Sequence, residues 1–535
     1  MTLAPTMMDV PLTIDWIADR AERWMADGEV VSRRPDRSIT RTTYGNVVGR
    51  ARKLARALVA AGVKRGDRIA TLMWNHAEHL ECYFGIPISG GVIHTLNLRL
   101  HPDEIAFIAN DAGDRMVIVD DCLLPLLEKT IAAGAKFERI FVVGEHGMHE
   151  SYETLLSEAP DVALPKLAET DALGLCYTSG TTGRLKGVVY SQRSTVLHTL
   201  VVALPDALNV ARTDILLPVV PMFHVNAWGL PYVCAMTGAK LVFPGPFLDP
   251  PSLLELMESE KVTAAAGVPT IWIGIRDVLE ANPTKYKLNP SIRMIVGGSA
   301  APEQLIRDFD KFGLKLLHAW GMTETSPVGT VARLSPALEE APIDLQYQQR
   351  AKQGRPVPLV DLRVRNDQGD VPMDGVTSGE VQVRGPFIAG AYMGGYTPER
   401  WTDDGYFKTG DVARLDEHGY IQLTDRVADM IKSGGEWIAT QELENAIMGH
   451  SAVKEAAVIG CAHPKWSERP LAAVVLKDAG ADKDSIASEL RTLLGAKFAK
   501  FWIPDAFVFV DSIPRTSAGK FKKTELRERF RDWKW

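Results

Sequence analysis

The sequence predicts an α/β protein: a large N-terminal domain of stacked α/β sheet layers with a small β subdomain, followed by a small α+β C-terminal domain. Three observations predict it. Helical periodicity alternates with short β-rich runs from about residue 44 to 312; glycine, aspartate and β-alternation take over between about 353 and 420; helices and strands return over the last 110 or so residues. The expected division is 1–425 and 426–535, with the β-rich part at about 353–420.

Taken in order, residues 44–62 place Val47, Val48, Ala51, Leu54, Ala55, Leu58 and Val59 at helical spacing, Gly62 supplies a stop, and 68–73 (RIATLM) reads as a strand. His101-Pro102-Asp103-Glu104 opens a helix ending near Gly113, and 116–120 and 140–143 are β-rich runs separated by a helical pattern. Such alternation predicts a largely parallel sheet covered on both faces. After a buried strand at 173–177 the rhythm resumes, with strands at 215–220, 240–243, 262–266 and 293–296 and helices at 252–261 and 302–312. In the β-rich part, 362–366 (LRVRN) and 380–385 (EVQVRG) alternate. Beyond Asp425-Arg426 come a helix at 440–448, strands at 456–459 and 472–476, a helix at 483–494, a strand at 506–510 and a basic tail at 521–531. Lys522, Lys523, Arg527, Arg529 and Arg531 of that tail read as a solvated helix face.

Composition narrows the function. At 535 residues the chain holds two to four domains or subdomains; hydrophobic residues are 46%, charged residues 24% and the net charge is −7, which favours neither a nucleic-acid partner nor an electrostatic membrane anchor. Cys82, Cys122, Cys176, Cys234 and Cys461 are scattered without a CxxC pair, so they read as reduced core thiols rather than a disulfide framework or zinc site. No signal peptide and no run of about 18 apolar residues is visible, and a cytoplasmic protein is expected.

Residues 177–187, YTSGTTGRLKG, carry the chemistry. Hydroxyls and glycines follow a buried strand and end in Lys186, a composition that suits a phosphate chain and gains nothing as a linker. Lys186 is followed by Gly187, and the earlier glycines sit at 180 and 183, which departs from GxxxxGK[ST] and disfavours a P-loop kinase.

Five motifs in one order resemble those of the adenylate-forming acyl-CoA synthetases, a superfamily that also holds luciferases and peptide-synthetase adenylation domains. They are YTSGTTGRLKG, PMFHVNAWG (221–229), HAWGMTET (318–325), YFKTGD (406–411) and PRTSAGK (514–520), and the resemblance covers nearly the whole chain. It implies that Thr178, Ser179, Gly180, Thr181, Thr182, Gly183 and Lys186 hold the pyrophosphate of ATP. Thr323 would bond the α-phosphate, and Glu324, with Thr178, would hold Mg²⁺. Gly297, Gly298, Ser299 and Ala300 would wall the adenine and the acid. Trp320, where relatives usually have tyrosine, would stack on adenine; Asp411 and Arg426 would take the ribose. Lys520 would contact carboxylate and α-phosphate. After rotation of the C-terminal domain, Gly434, Gly435 and Trp437 of KSGGEW would line the tunnel for CoA, although the usual hinge Asp or Lys is here Ala428. The implied catalytic set is Lys520, Thr323, Glu324 and His224, with no nucleophilic Ser or Cys.

For the acid, His224 replaces the aspartate that binds an amino group in peptide-synthetase domains, which argues against an α-amino acid. Val225, Asn226, Trp228 and Gly297 are the candidate acid-binding residues; FHVNAWG and HPKWSERP (463–470) look most like medium- and long-chain fatty acyl-CoA synthetases, in which a tryptophan at the place of Trp228 gates an acyl tunnel. Plainer readings stand beside these: a core aromatic for Trp228, a buried hydrogen bond for His224, a turn for Asp411. The expected reaction joins a carboxylic acid to CoA through acyl-AMP, using ATP and Mg²⁺, in an enzyme that resembles homodimers. The alternatives are a ligase for a short thioether or arylalkanoic acid, an acyl-AMP:carrier-protein ligase, and a non-catalytic acyl-nucleotide binder.

Overall fold

The computed structural model describes residues 3, 5–178, 185–433, 436–515 and 521–535. Helix Tyr44–Ala60 starts where the Thr43 side chain accepts from the backbone N–H of Asn46, and it buries the predicted stripe from Val47 to Leu58. It packs on helix Ala77–Ile88, where a Cβ on Gly85 would lie 2.7 Å from the Ala51 carbonyl oxygen, so only glycine allows the approach.

A seven-stranded sheet runs in the order Glu150–Ser151, Arg139–Val143, Asp114–Asp120, Arg68–Leu72, Val92–Thr95, Ala172–Tyr177, Gly187–Ser191; it is parallel except for its last pair. A nine-stranded sheet has a parallel centre, Lys315–Gly321, Arg293–Val296, Ala264–Gly267, Ile215–Pro218, Lys240–Phe243 and Glu29–Arg33. Antiparallel strands edge it: Val328–Val331 and Arg355–Pro356 on one side, Ile39–Thr43 on the other. The largely parallel expectation is therefore met in the centres and corrected at the edges. The strand expected at 215–220 ends at Pro218, since proline has no N–H for the ladder.

The β-rich part is an antiparallel five-stranded sheet, Gly369–Asp370, Asp361–Asn366, Ser378–Arg384, Phe407–Leu415 and Ile421–Arg426; positions 425 and 426 are its last two residues. The smaller C-terminal domain is built on the long hairpin Val453–His463 and Ser467–Leu476. The hairpin Ile431–Ser433 and Glu436–Ile438 lies on one side, and Ala506–Phe509 pairs in parallel with Ser467–Leu476.

Two side-chain expectations need correction. Four of the cysteines are buried but Cys122 is exposed, at the turn after Asp120 and Asp121. The basic tail is not wholly solvated either: the Lys523 side chain is 9% exposed and paired with Glu444 at 2.7 Å, because helix Lys523–Arg529 lies against the C-terminal sheet through buried Leu526.

The sheets are tied where the site lies. The Asn75 amide donates to the carbonyls of Pro218 (3.1 Å) and Val220 (2.9 Å) and accepts from the Met222 N–H (2.7 Å), fixing the chain that leads into residues 221–229. Beside it, His76 sits between Asp120 (2.8 Å) and Glu78 (2.9 Å). Burial alone would lower the His76 pKa; the Asp120 carboxylate and then Glu78 outweigh it and push it up to about 10. This folded value exceeds the ordinary value near 6.5, so the contribution is complete below about pH 6.5 and is lost as pH rises through about 10. The urea midpoint is expected to fall between pH 7 and 10, and to fall less steeply in His76→Gln.

Candidate active site

A cavity of about 400 Å³ opens where the two large sheets meet the five-stranded sheet. Of the residues named from the sequence, Thr178, Lys186, His224, Val225, Trp228, Gly297, Gly298, Trp320, Thr323, Glu324 and Arg426 line it. A second cavity of about 160 Å³ shares Gly298, Trp320 and Arg426 with the first and adds Ser299, Ala300 and Asp411. Ser179, Gly180, Thr181, Thr182, Gly183, Gly434, Gly435 and Lys520 lie outside the described residues.

At the end of the first cavity near Glu324, Thr178 and Lys186 are held to each other: the Thr178 N–H donates to the Lys186 carbonyl (2.9 Å) and the Lys186 N–H to Thr178 Oγ1 (3.3 Å). Strand Lys315–Gly321 delivers Trp320 and leads to the tight turn Thr323–Thr325, which is held from two sides. The Tyr190 hydroxyl donates to the Thr323 carbonyl (2.8 Å), and the Ala389 N–H to the Glu324 carbonyl (2.8 Å). The Glu324 carboxylate accepts from the Tyr392 hydroxyl at 2.5 Å, and the Lys186 ammonium stands 5.1 Å from the centre of that ring. Burial, then the Glu324 charge, raise the Tyr392 pKa, so the phenol stays a donor.

At the second cavity, Asp411 and Arg426 face each other across neighbouring antiparallel strands. The Arg426 Nε lies 3.2 Å from Asp411 Oδ1, and the Trp320 indole N–H donates to Oδ2 at 2.8 Å. The Asp411 charge raises the Arg426 pKa. Trp320 thus orients the aspartate, besides any stacking by its ring.

At the apolar end of the first cavity, the backbone from Val225 to Gly229 is left-handed throughout, with φ of 46°, 51°, 47°, 60° and 73°. Each non-glycine residue so placed costs about 1–2 kcal/mol, a strain that sits at the cavity wall. The turn is held by the Ala227 N–H on the His224 carbonyl (3.1 Å) and by the Gly229 N–H on the Asn226 carbonyl (2.9 Å). Asn226 does not line the cavity; its side-chain oxygen meets the Cys176 thiol at 3.5 Å, so it seats the turn instead of the acid. The Trp228 ring stands over Gly297, where an added Cβ would lie 3.0 Å from Cη2. Gly297→Val is therefore expected to lower kcat/KM for the acid about tenfold or more, through overpacking of about 1–3 kcal/mol, while the KM for ATP moves less than threefold; initial rates with each substrate varied check it.

Trp437 is not brought to the site: it is 52% exposed, with the Lys432 ammonium 5.5 Å from its ring centre. The C-terminal domain instead turns residues 521–524 toward the second cavity.

The AMP-binding enzyme profile matches residues 17–393, and that of the AMP-binding enzyme C-terminal domain matches residues 442–520. The chain belongs to the AMP-binding enzyme family. A long-chain-fatty-acid–CoA ligase of Thermus thermophilus is 48% identical over 99% of this chain and 97% of that protein. A 3-methylmercaptopropionyl-CoA ligase of Ruegeria lacuscaerulensis is 42% identical over 98% of each chain. The crystal structure of ATP-bound MatB from Rhodopseudomonas palustris superposes with a TM-score of 0.81 at 26% identity, over 97% of this chain and 99% of that one.

This AMP-binding enzyme has no cluster of three or more His, Cys, Asp or Glu side chains among the described residues that could cage a metal. Two carboxylates line the cavity: Glu380 accepts from the Gly410 N–H (3.0 Å), whereas Glu324, on the same wall as Thr323, suits Mg²⁺, which keeps waters and leans on phosphate oxygens. Reading of the motifs missed Tyr392 and Arg400. Tyr392 lies in the glycine-rich run AYMGGY, which looks like loop, and Arg400, whose Nε donates to the Lys408 carbonyl (2.8 Å), belongs to no motif.

Proposed function

We propose that this AMP-forming acid–CoA ligase activates an apolar carboxylic acid, in the first place a medium- or long-chain fatty acid. The acid carboxylate attacks the α-phosphorus of ATP, the bond to the β,γ-phosphates breaks, and acyl-AMP and pyrophosphate result; the CoA thiolate then attacks the acyl carbonyl and AMP leaves. One observation carries the reading: a single cavity joins a polar end, Thr178, Lys186, Thr323 and Glu324, to an apolar end, Phe223, Val225, Trp228 and Gly297. Lys186 and the loop before it orient the leaving pyrophosphate, Thr323 meets the α-phosphate, and Asp411 with Arg426 holds the ribose. Mg²⁺, held by Glu324 and Thr178, supplies charge neutralisation at the phosphates when bound. Similarity to the Thermus ligase supports the fatty acid.

A second reading, a short thioether acid, is favoured by Trp228 standing over Gly297, which shortens the apolar end, and by similarity to the Ruegeria ligase. A panel from acetate to palmitate, with 3-methylthiopropionate and cinnamate, scored for ATP- and CoA-dependent AMP formation, separates them. The highest kcat/KM is expected between octanoate and palmitate; a maximum at the thioether overturns the first reading, CoA-independent AMP release points to a carrier-protein ligase, and AMP from no acid overturns ligation altogether. A cytosolic homodimer is part of the proposal, to be checked by fractionation and light scattering.

A further inference from the structure

An ionic junction is buried where the two domains meet. Asp425, in the last strand of the five-stranded sheet, accepts at Oδ2 from both the backbone N–H and the hydroxyl (2.8 Å) of Thr440, the first residue of helix Thr440–Met448 in the C-terminal domain. The Thr440 hydroxyl oxygen accepts in turn from Lys523 Nζ (2.6 Å), at the start of helix Lys523–Arg529. Lys523 pairs with Glu444 at 2.7 Å, the two side chains being 9% and 7% exposed, and Glu444 Oε1 also accepts from the Val458 N–H (2.7 Å). One helical turn on, Arg527 donates to the Ala428 carbonyl (3.2 Å) and to Asp429 (2.5 Å). Arg414 on the five-stranded sheet meets Glu442 at 3.0 Å. The stretch 426–428, where the motifs place the pivot, is thus bracketed by two aspartates, each tied directly or through Thr440 to the same C-terminal helix.

A buried ion pair adds little net stability, because desolvation offsets its attraction, but it tolerates few geometries. Here the geometry it fixes has a consequence at the site. Residues 521–524 line the second cavity with Trp320, Asp411 and Arg426, while Trp437 faces solvent. Among the described neighbours, the Lys522 N–H donates to the Pro514 carbonyl (2.8 Å), and Arg515 and Phe521 form a β-bridge.

We propose that Lys523, which with Glu444 fixes the Thr440 hydroxyl toward Asp425, is a positioning residue that holds the C-terminal domain in the orientation serving adenylate formation, and that thioester formation requires the Thr440–Asp425 link across the domain boundary to open. The proposal rests on the ligase reading above. Its test uses the full chain and separates the half-reactions: ATP–pyrophosphate exchange driven by the best acid of the panel, and thioester formation from chemically prepared acyl-AMP and CoA. Lys523→Met is expected to lower exchange about thirtyfold while thioester formation stays within threefold, with Lys523→Arg recovering most of the exchange. Thr440→Val, which removes only the linking hydroxyl, guards against misfolding of the first variant and is expected to lower exchange about fivefold while the thermal midpoint falls by no more than a few degrees. Equal loss in both half-reactions, or unchanged exchange in Thr440→Val, overturns the role given to the junction. Absence of exchange in the wild-type protein with every acid overturns the ligase reading itself, and the junction's role with it.

Discussion

Glu324→Gln is expected to lower ATP–pyrophosphate exchange by about 10²–10³-fold, or roughly 3–4 kcal/mol of transition-state stabilisation. Glutamine keeps the shape and still accepts from the Tyr392 hydroxyl, so the turn Thr323–Thr325 should hold and the thermal midpoint should move little. What is lost is the charge that faces the cavity beside Thr178 and Lys186. Part of the activity should return as Mg²⁺ is raised, since a weakened site fills by mass action. A loss below fivefold, insensitive to Mg²⁺, would mean that Glu324 serves only as the acceptor for Tyr392.

Lys520→Ala is expected to cost a similar factor in adenylate formation and to spare thioester formation from supplied acyl-AMP within a few-fold. Lys520 itself lies outside the described residues, so the expectation comes from PRTSAGK and from its flanks, which the Pro514–Lys522 and Arg515–Phe521 contacts draw together at the second cavity. In the role proposed for it, the Lys520 ammonium would neutralise charge that develops as the carboxylate meets the α-phosphate, a service the second half-reaction does not need. Equal loss of both halves, measured with acyl-AMP and CoA in single turnovers, would contradict the role.

Much of this was legible because local rules and tertiary structure agree. Helix Tyr44–Ala60 announces itself by its stripe, and strand Ala172–Tyr177 by an apolar run ending in hydroxyls and glycine. Helix Ala77–Ile88 does not: every residue but Glu78 is buried, so no polar face gives it a period, and Gly85 and Pro87 argue against a helix. Strands Glu29–Arg33 and Ile39–Thr43 join a sheet whose other strands begin nearly two hundred residues later, a pairing that no local pattern records. The left-handed run at Val225–Trp228 contradicts propensity outright, because a β-branched and an aromatic residue disfavour positive φ; surrounding packing imposes it. Tyr392 and Lys523 were unreadable for a common reason: each owes its role to a partner far away in sequence, Glu324 and Glu444.

The burial of four cysteines and the setting of the fifth have a practical consequence for assay chemistry. Burial and the nearby Asp120 and Asp121 carboxylates push the exposed Cys122 thiol up to about 12, and burial raises the others. Four of the thiols are thus shielded by burial, and at Cys122 the neighbouring carboxylates disfavour the thiolate, the form that reacts with disulfide dyes. Samples withdrawn from the reaction, quenched and then treated with such a reagent report the free CoA that remains, so turnover can be followed without coupling enzymes.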